Sequence, residues 1–378
     1  MWDPRFLRRI DFRGVVIIFL LMTISLLVIY STTCVTHNLL NSISFSHFFK
    51  NQIRSFILGI IVYLFVICFD YRKLREWTWF IYVGIVILLI GLYFTPLIHN
   101  VRRWYRFSFI PFDIQPSEYA KLAVVLALSW FLEKKISKID KWKTFAQASL
   151  IVFIPFVLIL KQPDLGSALI LSPITLVMFY LSGINRKIII GLSVVAIVIF
   201  GVVSLIFLRI LSHEEMRPLF TTVLKDYQYE RLNPDTYHQK AGQTAIALGS
   251  IFGSGFCKSE YTGHSWLPYA YTDSVFAAFA EEFGLVGAFF LLFLYFCLIY
   301  FSFHVIEVAR DNFGRLLSAG ISVYFAMHVL INVGMMCGFL PITGVPLVLI
   351  TYGGSSVLSS MIALGLLQSI YARRFTFS

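Results

Sequence analysis

Ten long apolar runs divide this chain of 378 residues, and they limit its fold more than any other feature. A helix needs about 20 apolar residues to cross the ~30 Å hydrocarbon layer of a bilayer, and most of the runs approach that length. Helices also satisfy their backbone groups internally, as lipid requires. The runs begin at Gly14, Phe56, Trp77, Leu122, Thr144, Leu165, Ile188, Phe283, Leu316 and Val345. The pattern predicts an all-α polytopic membrane protein with about ten transmembrane helices.

Composition supports a membrane environment, because 58% of the residues are hydrophobic and only 13% are charged. Soluble domains carry about 25% charged residues, so this chain cannot cover its apolar surface in water. A soluble enzyme and a disordered chain are therefore excluded. The five cysteines show no C-x-x-C spacing, which argues against both a zinc site and a disulfide framework.

Basic residues are distributed unevenly between the two sides of the predicted spans. The tails and the short loops on one side hold 18 Lys and Arg residues, whereas the short loops on the other side hold 6. Cytoplasmic loops are enriched in such residues, so both termini are predicted to be cytoplasmic. The net charge of +11 is then an orientation signal, and no nucleic-acid partner is expected. Residues 209–272 are predicted to form a long extracytoplasmic loop between spans 7 and 8, within a single membrane domain of residues 1–378.

A first polar cluster on the extracytoplasmic side surrounds Arg103 and the start of the fourth run. Pro116 suits the first turn of a helix, and Glu118 and Lys121 share one face of that helix because they are three residues apart. Arginine suits bidentate recognition of phosphate, and charges inside a bilayer usually face a protein interior or an aqueous cavity. These residues are candidates for binding an anionic substrate. Interfacial snorkelling with a helix-end ion pair is the alternative.

Carboxylates mark two further clusters on the same side. Asp164 lies in a tight turn between the fifth and sixth runs, where it either binds substrate or caps the next helix. Asp273 opens a helix, and Glu281 follows on the same stripe about 12 Å along the axis. The two are too far apart to share a proton, but they could flank an elongated substrate. Partial desolvation raises a carboxyl pKa, which makes Asp273 a candidate general base; a helix cap is again the alternative.

Seven motifs in a fixed order give the chain a family resemblance. They are Arg103-Trp104, Gln115-Pro-Ser-Glu-x-Ala-Lys121, Gln162-Pro-Asp-Leu-Gly-Ser167, Tyr227-Gln228 with Arg231, Leu267-Pro268 through Thr272-Asp273, Ala280-Glu-Glu-x-Gly284, and Ile331-Asn332-Val-Gly-Met through Thr351-Tyr-Gly-Gly-Ser-Ser356. With these motifs the chain resembles the SEDS family (shape, elongation, division and sporulation) over nearly its whole length. The segment Leu340-Pro-Ile-Thr-Gly-Val-Pro346 is similar to that of the rod-shape-determining, RodA-like members.

The resemblance implies a peptidoglycan glycosyltransferase of the bacterial cytoplasmic membrane. Such an enzyme polymerises lipid II, a disaccharide-peptide that is linked by pyrophosphate to an undecaprenyl tail. Asp273 falls on the family's catalytic aspartate and is the implied general base. Arg103, Lys121 and Arg231 are expected to bind the departing undecaprenyl pyrophosphate, with Mg²⁺ or Mn²⁺ as a candidate cofactor. Glu118 is expected to orient Lys121 or to help bind the metal.

Family resemblance also implies two protein partners and leaves two other functions open. The partners are a class B penicillin-binding protein, which is a transpeptidase, and the MreB-associated elongation complex. A lipid II flippase or transporter would use the same cleft and basic residues but needs no general base, and a non-catalytic scaffold needs neither. The sequence departs from the family at Tyr269 and Tyr271, where Glu and His are usual, and at Ser254, where a lysine is usual. The roles of those missing residues are not carried over.

Overall fold

Helices form nearly all the regular secondary structure of this chain. The structure is a computed structural model, and it describes residues 2–37, 46–96, 101–106, 112–139, 141–221, 229 and 232–375. The longer helices are α1 (Phe12–His37), α2 (His47–Cys68), α3 (Leu74–Gly91), α4 (Pro116–Lys134), α5 (Trp142–Lys161), α6 (Leu165–Ser182), α7 (Arg186–Phe207), α8 (His213–Phe220), α9 (Tyr237–Gly249), α10 (Val275–Val308), α11 (Asn312–Met336) and α12 (Gly354–Ala372). The described ranges contain two isolated β-bridges and no β-strand. The predicted all-α class is confirmed.

Nine of the described helices are long and apolar enough to cross a membrane. They are α1, α2, α3, α5, α6, α7, α10, α11 and α12. The fourth predicted span corresponds to α4, whose hydropathy is lowered by Glu118, Lys121 and Glu133. Most of α4 is nevertheless buried, because it packs against α3, α5, α6 and α11. Its charges near the helix start therefore lie inside protein rather than in lipid, where they would be costly.

The last apolar run was predicted to begin its span at Val345, and this start is wrong. The helix begins at Gly354, and the preceding segment is irregular, partly because Pro346 has no backbone N–H to donate. Irregular backbone at this depth requires partners within the protein. Asn332 Nδ2 donates to the carbonyl of Val345 at 2.8 Å, and His328 Nδ1 donates to the carbonyl of Pro346 at 3.0 Å.

Two C-terminal helices occupy the centre of the bundle. In both α11 and α12, 78% of the most apolar stretch is buried inside the protein, compared with 6% in α7. Helix α12 packs mainly against α2, and α11 packs against α10, α6 and α4. Helix α7 thus presents almost its entire surface outward, whereas α11 brings its polar side chains into the protein interior.

Arginines organise one end of the bundle, which we call the basic end. Arg373 is buried and donates to the carbonyl of Ile67 at 3.0 Å, which joins the C-terminal segment to α2. Arg75 forms a two-pronged ion pair with Glu133 at 2.8 Å and also pairs with Asp311. The segments that were predicted to be cytoplasmic therefore meet at this end. We call the opposite end, where α10 and α12 begin, the site end.

Helix α10 is interrupted near the site end, at Gly284, whose φ of 64° and ψ of −165° are not helical. The last residue of α9 and the turn after it, residues 249–255, restore the lost backbone hydrogen bonds. Leu285 N donates to Ser250 O at 3.0 Å, and Ser254 N donates to Glu281 O at 3.0 Å. A Cβ atom on Gly284 would lie 2.3 Å from a backbone nitrogen of this segment, so the approach depends on glycine. The long loop is thereby fastened to α10.

Candidate active site

Asp273 lies in a short non-helical segment, residues 268–274, that leads into α10 at the site end. Three hydrogen bonds fix the backbone of this segment. Tyr352 N donates to Tyr271 O at 2.9 Å, and Asn332 Nδ2 on α11 donates to Asp273 O at 3.3 Å. The third contact, from Ser274, is to the carbonyl of Pro268 at 2.7 Å. Asp273 is therefore placed by backbone contacts that leave its carboxylate unengaged.

The Asp273 carboxyl is desolvated but has a cation nearby. Burial raises its pKa to about 6, with the positive charge of Arg103 lowering it and the negative charge of Asp164 raising it further. Within the described ranges no group donates a hydrogen bond to this carboxylate. Gly344, at a φ of 73°, faces it, and a Cβ there would lie 3.5 Å from Oδ2. A half-buried, unengaged carboxyl with a raised pKa is suited to accept a proton.

Arg103 is held in place by backbone carbonyls. Its Nε donates to Gln162 O at 3.0 Å, and its Nη2 donates to Pro163 O. A guanidinium has five N–H donors, so these two bonds leave others available for an anionic ligand. From this position the positive charge of Arg103 acts on the Asp273 carboxyl. The two residues belong to segments 170 residues apart in the chain.

Asp164 caps a helix, which is one of the two roles predicted for it from the sequence. Its Oδ1 accepts from Ser167 N at 3.3 Å at the start of α6. Its Oδ2 accepts from Ser117 Oγ at 2.9 Å and from Gln115 Nε2 at 3.2 Å, which ties α6 to the start of α4. Asp164 is buried, and its negative charge raises the pKa of Asp273. It therefore shapes the electrostatics of the site whether or not it also contacts substrate.

Glu118 and Lys121 form an ion pair of 2.8 Å that is almost completely enclosed, with side chains 1% and 0% exposed. Lys121 Nζ also donates to His328 Nε2 at 2.9 Å and lies 5.3 Å from the ring centre of Tyr324. Tyr324 OH lies 3.4 Å from the second oxygen of Glu118. The predicted pairing of Glu118 with Lys121 is present. The ammonium group is directed at α11, inside the protein, rather than at the surface.

Glu281 anchors the long loop. Its carboxylate accepts from Tyr261 N at 2.9 Å, from Thr262 N at 3.1 Å and from Thr262 Oγ1 at 2.5 Å. The neighbouring Glu282 accepts from Cys257 N at 2.6 Å and from Ser31 on α1. Because its oxygens are occupied by the loop, Glu281 holds Tyr261 and Thr262 against α10, and Glu282 holds Cys257 in the same way.

The remaining predicted residue, Arg231, lies outside the described residues, as do Tyr227 and Gln228. The structure adds polar residues that the sequence analysis did not propose for the site: His238, Ser274, Tyr324, His328 and Asn332. Asn332 Oδ1 is buried and has no partner in the described part of the chain. His328 and Asn332 interrupt a long apolar run, and a polar residue in such a run is the signal that would have indicated them.

Together the fold and the site define a polytopic helical membrane protein with a desolvated carboxyl, under the electrostatic influence of an arginine, at one end of its bundle. The chain matches the FtsW/RodA/SpoVE family model, described as a cell cycle protein, over residues 13–375, and it belongs to that family. One relative is the peptidoglycan glycosyltransferase RodA of Treponema pallidum (strain Nichols). It is 31% identical over 392 residues, which cover 86% of this chain and 90% of the relative. The predicted family is confirmed.

Two solved structures are similar to this one. The rod shape determining protein RodA of Thermus thermophilus has a TM-score of 0.69 and 23% identity, and the match covers 97% of this chain and 98% of that one. The second, described as "Structural coordination of polymerization and crosslinking by a peptidoglycan synthase complex", has a TM-score of 0.73 and 24% identity, with 97% and 99% covered. At these identities the likeness concerns the fold, and it agrees with the helical architecture predicted from the sequence.

Proposed function

We propose that this chain is a peptidoglycan glycosyltransferase that polymerises lipid II into glycan strands during cell-wall elongation and the maintenance of cell shape. The observation that carries the proposal is the carboxyl of Asp273, which is desolvated, unengaged within the described ranges and close to Arg103. Family membership and a relative with this activity in its name support the same conclusion. The RodA-like segment at residues 340–346 supports a role in elongation.

Asp273 acts as the general base in this proposal. It takes the proton from the 4-hydroxyl of the acceptor sugar while that oxygen attacks the anomeric carbon of the donor. The bond from the anomeric carbon to the pyrophosphate breaks, and undecaprenyl pyrophosphate leaves. A pKa near 6 keeps the carboxyl mostly ionised at pH 7 yet basic enough to accept the proton, which is the range that suits a general base.

Arg103 stabilises the charge that develops on the departing pyrophosphate, with Arg231 as the second cation. Preorganised donors at such a position give a large part of the rate enhancement in many enzymes. Lys121 fits a different task, because its ammonium is enclosed between Glu118 and His328. We assign it to holding α4 against α11, so that the start of α4 and Asp164 keep their positions.

A divalent cation, Mg²⁺ or Mn²⁺, is part of the proposal for the pyrophosphate. The described residues contain no group of three or more His, Cys, Asp or Glu side chains with metal-binding geometry. Mg²⁺ is commonly held by one or two carboxylates together with substrate phosphates, so most of its ligands would come from the pyrophosphate. The cation would neutralise charge on the pyrophosphate.

The proposed setting is the bacterial cytoplasmic membrane, with the site end outward. The nine apolar helices support a multi-pass membrane protein. We propose a class B penicillin-binding protein as the partner that crosslinks the strands, supported by the similar fold of a chain from a peptidoglycan synthase complex. The MreB-associated elongation complex is proposed on the basis of the RodA-like segment alone.

Purified protein and labelled lipid II test the proposal. Wild type is expected to produce glycan strands, and Asp273→Asn should reduce the rate by about 10²–10⁴-fold, the usual contribution of a general base. Movement of lipid II between leaflets without strand synthesis would indicate a flippase. Absence of both activities, with normal growth of cells that carry Asp273→Ala, would indicate a scaffold. Omitting the divalent cation in the same assay tests the metal.

A further inference from the structure

His238, in the first turn of α9, contacts the segment that carries Asp273. Its Nε2 lies 2.7 Å from Ser274 Oγ, and Ser274 Oγ lies 2.7 Å from the carbonyl oxygen of Pro268. Ser274 is 0% exposed, so no solvent competes for its hydroxyl. The three residues form one continuous chain of hydrogen bonds from α9 across the base of the segment.

The direction of these hydrogen bonds follows from their chemistry. The carbonyl of Pro268 only accepts, so Ser274 donates its single hydroxyl proton there. Ser274 Oγ must then accept from His238, which fixes the ring with its proton on Nε2. Burial lowers the pKa of His238, which keeps the ring neutral at physiological pH. The donor at Nε2 is therefore a defined feature of the resting protein.

The segment needs such support because its backbone is unusual. Tyr269 has a φ of 52°, a conformation that costs an ordinary residue free energy and persists only when its surroundings enforce it. The N–H groups of Thr272 and Ser274 both donate to Tyr269 O, at 3.0 and 3.1 Å. The ring of His238 lies 5.8 Å from the ring of Tyr269. Helix α9 thus braces the turn at the position where it is strained.

Helix α9 is itself rigidly placed. Gln239, the neighbour of His238, is 1% exposed, and its Nε2 donates to Met335 O on α11 at 2.7 Å. A Cβ on Gly242 would lie 3.3 Å from Met336, so the two helices are in close contact. A side chain on the first turn of α9 is therefore held relative to the centre of the bundle.

We propose that His238 is a positioning residue for Asp273, acting through Ser274 and Pro268 to hold the segment of residues 268–274 in the conformation that aims the carboxylate at substrate. The inference rests on the proposed function, because it assumes that Asp273 performs the reaction. His238 itself touches no reacting atom. Its contribution is geometric, and a displacement of about 1 Å at a reacting group can cost around 10²-fold in rate.

Two nearly isosteric substitutions at His238 separate hydrogen bonding from packing. His238→Gln keeps an N–H donor at about the same reach, whereas His238→Met fills similar space without one. We expect His238→Met to lower kcat for lipid II polymerisation by about tenfold, a fraction of the loss that a 1 Å displacement causes, with KM little changed. His238→Gln should retain most of the wild-type kcat. Equal kcat values for the Met and Gln variants would overturn the proposal.

Ser274→Ala interrupts the same chain from its other end and provides an independent test. It should lower kcat as His238→Met does, and the double variant should be no slower than either single one, because both remove one connected interaction. If the losses in kcat of the two single variants multiply in the double variant, the inference is contradicted. Wild type and Asp273→Asn complete the set: if wild type makes no strands, the proposed function fails. If Asp273→Asn alone is inactive and the His238 variants match wild type, only the role of His238 fails.

Discussion

The Nζ atom of Lys121 lies 2.9 Å from Nε2 of His328, deep inside the bundle. His328 Nδ1 donates to the carbonyl of Pro346 at 3.0 Å, so its proton is on Nδ1, and Nε2 accepts from the ammonium group. Glu118 supplies the opposite charge at 2.8 Å. A charge on α4 is thereby connected, through a neutral histidine on α11, to the irregular segment before α12.

Replacing Lys121 with Met should strongly destabilise the protein. Glu118 would keep its buried charge without a partner, and breaking a buried pair in this way typically costs about 3–5 kcal/mol. The double variant Glu118→Gln/Lys121→Met removes both charges and should recover part of the loss. Thermal unfolding of the purified proteins in one detergent measures both effects. A double variant less stable than Lys121→Met would show that the two residues do not act as a pair.

Polymerisation should depend on pH through Asp273. The carboxyl must be ionised to accept a proton, and its pKa is about 6, so the rate should fall tenfold per pH unit below 6 and level off above it. Arg103 lowers this pKa, and Arg103→Ala should therefore move the acid limb to higher pH. Values of kcat/KM for lipid II between pH 5 and 8, which report the pKa of the free enzyme, measure this limb in both proteins. An acid limb at the same pH in both proteins would show that Arg103 does not influence the pKa of Asp273.

Asp273→Asn should increase stability while it reduces activity. Folding raises the pKa of this carboxyl from 3.8 to about 6, so the folded state resists its ionisation and loses stability as the pH rises from 4 to above 6. The asparagine removes that cost, which is at most about 3 kcal/mol at pH 8. The melting temperature of the variant should exceed that of wild type at pH 8 and equal it near pH 4. A variant less stable than wild type at both pH values would argue against desolvation of Asp273.

Arg103→Ala should reduce kcat/KM for lipid II by at least about 2 kcal/mol of transition-state stabilisation, as expected for a charge-assisted contact. Arg103→Lys should recover only part, because an ammonium does not reproduce the guanidinium fork. Steady-state rates with labelled lipid II provide the comparison. Wild-type activity in Arg103→Ala would shift the pyrophosphate site toward Arg231.

Glu281→Gln should affect stability more than chemistry. The carboxylate accepts three hydrogen bonds from Tyr261 and Thr262, and an amide would present an NH₂ group to one of those donors. The expected cost is about 1–3 kcal/mol of stability, with a smaller loss of activity than in Asp273→Asn. Proteolysis of the long loop, compared between wild type and the variant, reports on the anchor directly. Cleavage at the same rate in both proteins would show that Glu281 does not anchor the loop.

Part of the site could be predicted because its residues violate the apolar pattern around them. Lys121 at the start of an apolar run, and Asp273 just before one, are costly in lipid, and this cost indicated a function before any contact was known. The contacts between distant segments could not be predicted in the same way. The carbonyls that fix Arg103 depend on how two turns meet, and His238 lies in a polar loop where a histidine is unremarkable.

The fold shows the same difference between local features, which could be predicted, and contacts between distant segments, which could not. Hydropathy located nearly every membrane helix, because the length of an apolar run is a local property. It failed at Val345, where an equally apolar stretch contains Pro346 and is stabilised by side chains from α11. Local composition cannot indicate hydrogen bonds that side chains from distant parts of the chain provide. The predicted roles of Arg231 and of a divalent cation stay predictions.

The interruption of α10 at Gly284 has a consequence for biogenesis. The short first part of α10 relies on hydrogen bonds from residues 249–255, which are synthesised about thirty residues earlier. When Gly284 leaves the ribosome, the segment that completes its backbone has already been made and, in the predicted orientation, already translocated. The order of the chain therefore supplies the partner before the gap appears.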